Sequence, residues 1–182
     1  MSLDVFSAWA ELLRYPGEGR SENTDAWIET VTAAAPESGE HLVGLREFAR
    51  LNTESNLEEL FVRTFENNSE RALELGWHLH GENYARGAFM ARMRGILREL
   101  EIKETVELPD HLSHLLLVLA KGEEELCAAL ARGVVLPALL KVQGGFSDEN
   151  NPYFGVIVGL NKYISSRYGL ATEKGAQMES TR

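Results

Sequence analysis

The sequence has little cysteine and no long apolar run. Cys127 is the single cysteine among 182 residues, so no disulfide can form within the chain. Its apolar surroundings predict a packed thiol rather than a nucleophile. No apolar stretch approaches the roughly 18–20 residues that cross a membrane, and the first residues lack the basic region and cleavage site of a signal peptide. We therefore expect a cytoplasmic protein without stable membrane insertion.

Basic side chains are also scarce. The chain has 18 lysines and arginines against 28 aspartates and glutamates, which gives a formal net charge of -10. Nucleic acids and anionic membranes are bound by clusters of basic residues, so neither is an expected partner. The acidity favours a basic partner such as an arginine-containing peptide, or it serves solubility alone.

Strand signals are missing, whereas helical ones run through most of the chain. Apolar residues recur at helical spacing from Leu3 to Ile164, and no segment alternates as a half-buried strand does. The pattern predicts an all-α fold, a compact single-domain bundle of seven to nine helices over residues 1–168. Residues 169–182 lose the periodicity and are predicted to be a flexible tail.

Several helix boundaries have recognisable signals. Ser2 is a candidate N-cap of the first helix. Ser55 and Glu58 have the spacing of a capping box, in which each side chain accepts a hydrogen bond from the other residue's backbone. Gly81 suits a helix C-terminus, and Pro137 is expected to bend the helix around it. The arginines of the helix after residue 83 are predicted to form a solvated face: Arg86, Arg92, Arg94 and Arg98.

The most apolar helix is predicted over residues 108–120, where leucines cover nearly the whole circumference. Pro109 fits the first helical position, and Asp110 beside it would favour the positive end of the helix dipole. This helix should be central and buried. Its first turn carries Asp110, His111 and His114, which must reach water or a partner because unpaired polar groups are costly to bury. That end is our first candidate for function.

The histidines also raise the alternative of a metal site. His111 and His114 lie three residues apart on one helical face, while His78 and His80 lie two apart. Two histidines do not complete a zinc site, and no HExxH arrangement is present. We therefore expect no bound metal and no catalytic residues, and keep a small metal-dependent helical enzyme that uses these four histidines as the alternative.

Four short motifs resemble one known family. They are Leu-Leu-Arg-Tyr-Pro at 12–16, Leu-Phe-Val-Arg-Thr-Phe-Glu at 60–66, Leu-His-Gly-Glu-Asn-Tyr-Ala-Arg-Gly at 79–87 and Glu-Leu-Pro-Asp-His-Leu at 107–112. Their order and spacing resemble the nitrate reductase delta-subunit (NarJ-type) chaperones, relatives of the TorD-like family. The family commonly has aspartate where this chain has Glu66, and its usual long tail is short here.

The resemblance implies a dedicated, non-catalytic chaperone that acts in the cytoplasm. Similar proteins bind the N-terminal peptide of a molybdopterin oxidoreductase catalytic subunit, which is a twin-arginine signal where the client is exported. They hold the client while molybdenum cofactor is inserted, before export or membrane docking. The chaperone itself would hold no cofactor stably, and it would be a monomer or a domain-swapped dimer.

The resemblance and the polar helix start together give ten candidate client-binding residues. Acidic groups beside apolar side chains suit a peptide that offers arginines next to a hydrophobic run. For Phe61, Phe65, Pro109 and Gly81 the alternative is a purely structural role. The candidates are Phe61, Phe65, Glu66, His80, Glu82, Arg86, Pro109, Asp110, His111 and His114.

Overall fold

The computed structural model describes residues 4–17, 19 and 21–169, and this part of the chain contains nine helices and no strand. The all-α prediction is confirmed, whereas residues 170–182, most of the predicted tail, lie outside the described residues. The helices are α1 (Val5–Leu12), α2 (Thr24–Ala34), α3 (consecutive segments Pro36–Gly39, Glu40–Leu42 and Val43–Leu51), α4 (Glu54–Phe61, continued by a π-helical turn Val62–Glu66), α5 (Leu75–His80), α6 (Tyr84–Glu99), α7 (Leu112–Lys121), α8 (Glu124–Leu130, a π-helical turn Ala131–Val135 and Leu136–Gly144) and α9 (Pro152–Tyr168).

The most apolar helix is central, as predicted. Helix α7 packs against α1, α6 and α8, and α9 closes the bundle against α3 and α8. Leu112, Leu115 and Leu116 have no exposed surface. Burying such side chains contributes about 1.5–3 kcal/mol each relative to leaving them in water. This helix is therefore a main component of the core.

The predicted start of α7 is wrong by three residues. The helix begins at Leu112 with His111 as its N-cap, so Pro109 is not the first helical residue and Asp110 is not in the first turn. The reason is a long-range pairing of backbone groups. The Leu75 N–H donates to the Asp110 carbonyl at 2.8 Å, and the Leu112 N–H donates to the carbonyl of residue 73 at 2.7 Å. This pairing holds residues 109–111 in an extended turn.

Two predicted helix caps are replaced by neighbouring ones. Asp4 caps α1, since its side chain accepts hydrogen bonds from the next backbone N–H groups; Ser2 lies outside the described residues. The capping box of α4 is formed by Thr53 and Asn56, not by Ser55 and Glu58. Thr53 has the extended backbone that an N-cap needs, so the helix begins two residues earlier than predicted.

Other boundary signals were correct. Gly81 ends α5 with a φ of 63°, a left-handed conformation that favours glycine. A π-helical turn, Ala131–Val135, directly precedes the segment that carries Pro137, and the bend expected around this proline stays a prediction. Cys127 is a buried thiol as predicted, and burial raises its pKa.

No helix in the described part of the chain combines the length and the apolar character needed to cross a membrane.

Candidate functional site

A groove runs between the end of α4, the segment before and within α5, and the loop before α7. It consists of two adjoining cavities of about 280 and 560 Å³, which we call the first and the second cavity. The first is lined by Phe61, Phe65, Glu66, Ala72, Leu73, Glu74, Glu107 and His111. The second shares Glu66, Ala72 and Glu74 with the first and adds Asn67, Asn68, Ser69, Trp77, Arg86 and Leu108.

Aromatic side chains form the floor of the first cavity. Phe61 and Phe65 are each 2% exposed, and their rings meet edge to face with centroids 5.1 Å apart. Both rings also pack edge to face on Tyr153 of α9, at 5.6 and 5.0 Å. Such packing fixes ring positions, so the floor is rigid and apolar.

The π-helical turn at the end of α4 is held by contacts from outside the helix. Arg71 donates to the carbonyl of Thr64 at 2.7 Å and to the carbonyl of Gly145 at 3.3 Å. Asn151 donates to the Thr64 hydroxyl at 2.9 Å. These bonds satisfy groups that a π-helical turn leaves irregular, and they place Phe65 and Glu66 at the groove.

Three carboxylates line the first cavity: Glu66, Glu74 and Glu107. None of them forms an ion pair with any residue that the structure describes. Burial, followed by the charges of Glu74 and Glu66, raises the pKa of Glu107. The first cavity therefore concentrates negative charge, and no described cation lies within ion-pair distance of it.

His111 lies at the bottom of the first cavity and is 4% exposed. Its Nδ1 accepts a hydrogen bond from the Ser113 N–H at 3.2 Å, which caps α7. Burial, with smaller effects of His114 and Arg14, lowers the pKa of His111 to about 3. The imidazole is therefore neutral at physiological pH, and with Nδ1 unprotonated the proton is on Nε2.

His114 forms hydrogen bonds with the loop before α7. Its Nε2 accepts from the Thr105 N–H at 3.2 Å, and its Nδ1 lies 2.9 Å from the Leu108 carbonyl. Burial lowers the pKa of His114. Both ring nitrogens are thus engaged with backbone groups, and His114 positions the loop that brings Glu107 and Leu108 to the groove.

Arg86, which lines the second cavity, forms an ion pair with Asp110, which is buried behind it. The Arg86 Nε donates to Asp110 Oδ2 at 2.9 Å; the side chains are 17% and 0% exposed. A Cβ at position 76 would lie 2.5 Å from the same oxygen, so glycine is required there. Arg86 thus departs from the predicted solvated face, to which the exposed Arg92, Arg94 and Arg98 conform. It turns inward because Asp110 needs a partner.

The groove unites half of the ten candidate residues: Phe61, Phe65, Glu66, Arg86 and His111. The others lie outside its lining. His80 packs beside Phe89 at 5.7 Å, Glu82 is exposed, and Pro109, Asp110 and His114 are buried behind the groove. Client contacts by all ten remain predictions.

Sequence reasoning missed four residues of this region. They are Glu74, Trp77, Glu107 and Arg71. A signal existed for two of them: Glu107 belongs to the motif at 107–112, and Glu74 is a lone acid in the apolar run 72–75. Arg71 has no sequence signal, because its role depends on carbonyls that come together only in the fold.

The histidine pairs do not form a metal site in the described chain, where no group of three or more histidine, cysteine, aspartate or glutamate side chains could hold a metal ion. The His78 Nε2 instead lies 2.7 Å from the Ala72 carbonyl.

Comparison with known proteins agrees with this architecture. No curated protein matches the chain significantly. The family model described as nitrate reductase delta subunit matches residues 32–158, which include every residue that lines the groove. This family consists of assembly chaperones that act with the catalytic subunits of nitrate reductase-type molybdoenzymes and is not a catalytic family. Since the match covers well over half of its length, the chain belongs to the nitrate reductase delta subunit family.

Proposed function

We propose that this chain is a dedicated chaperone that binds the N-terminal peptide of a molybdopterin oxidoreductase catalytic subunit in the groove. It holds the client in the cytoplasm during molybdenum-cofactor insertion, before export or membrane docking. The cofactor belongs to the client, and the chaperone performs no chemistry. The observation that supports this proposal is the combination, in one groove, of an aromatic floor and three carboxylates that form no ion pair with a described residue.

Each part of the groove matches one part of such a peptide. The floor of Phe61 and Phe65, with Leu108 at 45% exposure on the rim, suits the apolar face of a helical segment. Glu66, Glu74 and Glu107 suit the basic side chains beside that face, because a guanidinium forms strong charge-assisted hydrogen bonds with carboxylates. A basic ligand would also relieve the mutual repulsion of the three acids.

Calorimetric titration of the client's synthetic N-terminal peptide tests the proposal. Replacing Glu66 or Glu74 by Gln keeps the size and removes one charge, so we expect each to weaken binding roughly tenfold. Added salt should weaken binding to the wild type, because it screens charges over about 8–10 Å. The residual affinity at high salt reports the apolar floor.

Glu82→Gln is the matched control, because Glu82 is an exposed glutamate outside the groove lining. It should leave the affinity unchanged. Absence of binding to the wild type would contradict the proposed function. Equal losses in the Glu82 and Glu66 variants would move the peptide away from the groove.

A further inference from the structure

Arg86 presents its guanidinium to the second cavity in a fixed position. Asp110 holds the Nε at 2.9 Å, and the guanidinium carbon lies 5.9 Å from the Trp77 ring centre. Asp110 cannot retreat, because its Oδ2 packs against the backbone of residue 76. The arginine is thus oriented before any ligand arrives, which lowers the entropy that binding must offset.

The guanidinium has donors that the fold does not use. It carries five N–H groups, and the ion pair with Asp110 engages the Nε. Among the described residues, no hydrogen bond involves either terminal nitrogen of Arg86. These two nitrogens form the fork that a carboxylate accepts from in the bidentate manner.

Arg86 and the groove carboxylates do not pair with one another. Glu66 and Glu74 line the second cavity together with Arg86, yet neither is within ion-pair distance of it. The first cavity adds Glu107, and its described lining has no lysine or arginine. The groove therefore offers acceptors for a cation in both cavities, and in the second cavity it also offers an oriented cation beside the Trp77 ring.

We infer that the client peptide carries an acidic side chain near its basic one, and that this carboxylate binds the terminal nitrogens of Arg86 while the basic side chain lies among Glu66, Glu74 and Glu107. This assignment rests on the proposed function and adds the polarity of the ligand to it. A peptide with basic and apolar residues alone would fill the first cavity and leave the Arg86 donors unpaired.

The test changes the peptide first, so that folding of the protein is not at issue. The probe is the synthetic N-terminal peptide of the client catalytic subunit, compared with versions in which each Asp or Glu is replaced by its amide. One such replacement should weaken binding to the wild type roughly tenfold, as expected for loss of a charge-assisted bidentate contact. An equal affinity for all versions, or a binding peptide without any acidic residue, overturns the inference.

Arg86→Lys then identifies the partner. Lysine retains a charge for Asp110 but lacks the fork, so the acidic-to-amide replacement should cost much less affinity in this variant than in the wild type. Trp77→Leu is the matched control: it removes the ring beside Arg86 but keeps the ion pair and the fork, so the acidic-to-amide replacement should cost as much affinity in this variant as in the wild type. If the parent peptide binds and Glu66→Gln weakens it, but no acidic replacement has an effect, this inference fails while the proposed function stands. Failure of the parent peptide to bind overturns both.

Discussion

Two groups of polar side chains lie within the same part of the bundle and differ in how they are satisfied. At the start of α7, Asp110 and His114 are fully buried, and each has a partner: Arg86 for the carboxylate, backbone groups for the imidazole. On the groove, Glu66 and Glu107 line a cavity and pair with no described residue.

The difference distinguishes polar groups that stabilise the fold from polar groups that face a ligand. Buried polar groups with partners stabilise one conformation, and a ligand would have to break those bonds to reach them. Like charges that lie together without a counter-charge raise the free energy of the ligand-free protein. A ligand of opposite charge removes this cost when it binds. The predictions below test whether the start of α7 is structural and the groove is not.

The largest expected effect is on the core beneath both groups. Leu116 in α7 is 0% exposed, so Leu116→Ala should lower the free energy of unfolding by about 2–5 kcal/mol. Leu108→Ala at the groove rim, where the leucine is 45% exposed, should cost far less. Urea denaturation of the two variants measures both. An effect of Leu116→Ala below about 0.5 kcal/mol would place α7 at the surface.

The next effect concerns the ion pair. Asp110→Asn keeps the size but removes the charge beside Arg86. Its amide N–H₂ takes the place of one carboxylate oxygen: either Oδ2, which accepts from Arg86, or Oδ1, which has no partner among the described groups. We expect a loss of about 2–3 kcal/mol in the free energy of unfolding.

Glu66→Gln is the control for the ion pair, since it alters a groove carboxylate without an ion-pair partner in the described structure. Its free energy of unfolding should change by less than about 0.5 kcal/mol. Equal stability of the Asp110 and Glu66 variants would mean that the two groups do not differ as proposed.

Helical periodicity predicted the fold class and the central helix, because each depends on residues within a few turns of one another. It failed where distant segments meet. The pairing of residues 73–75 with 110–112 decides where α7 begins and turns Asp110 toward Arg86. No local pattern carries that contact, so Pro109 was assigned to the wrong position.

The candidate site was predicted in part for the same reason. The motifs that resemble the family made Phe61, Phe65 and Glu66 candidate site residues, and all three line the groove. Glu74 was missed although a lone acid in an apolar run is a signal, because only the cavity beside it shows which function that signal indicates. His114 was included because a histidine on an apolar helix needs a partner, and the partner proved to be the loop at 105–108.

The smallest expected effect is the change in the free energy of unfolding with pH. Its sign follows from the histidines at the start of α7. The folded-state pKa of His111 is about 3, below the usual value of 6.5, so protons bind the unfolded chain preferentially. The free energy of unfolding is not reduced by His111 above about pH 6.5, and it falls as the pH decreases from 6.5 toward 3. His114 and His78 have pKa values lowered by burial and act in the same direction, whereas the raised pKa of Glu107 opposes them at the acid end.

Urea denaturation between pH 6.5 and 5.5 measures this response. His111 alone should remove about 1 kcal/mol of stability over this range, because the slope approaches about 1.4 kcal/mol per pH unit only where the unfolded-state histidine is fully protonated. His111→Asn keeps an acceptor for the Ser113 N–H at the helix cap but cannot take up a proton, so its stability should fall less steeply with pH. Identical slopes for the two proteins would show that His111 does not resist protonation. The start of α7 would then be an accessible, titrating surface like the groove.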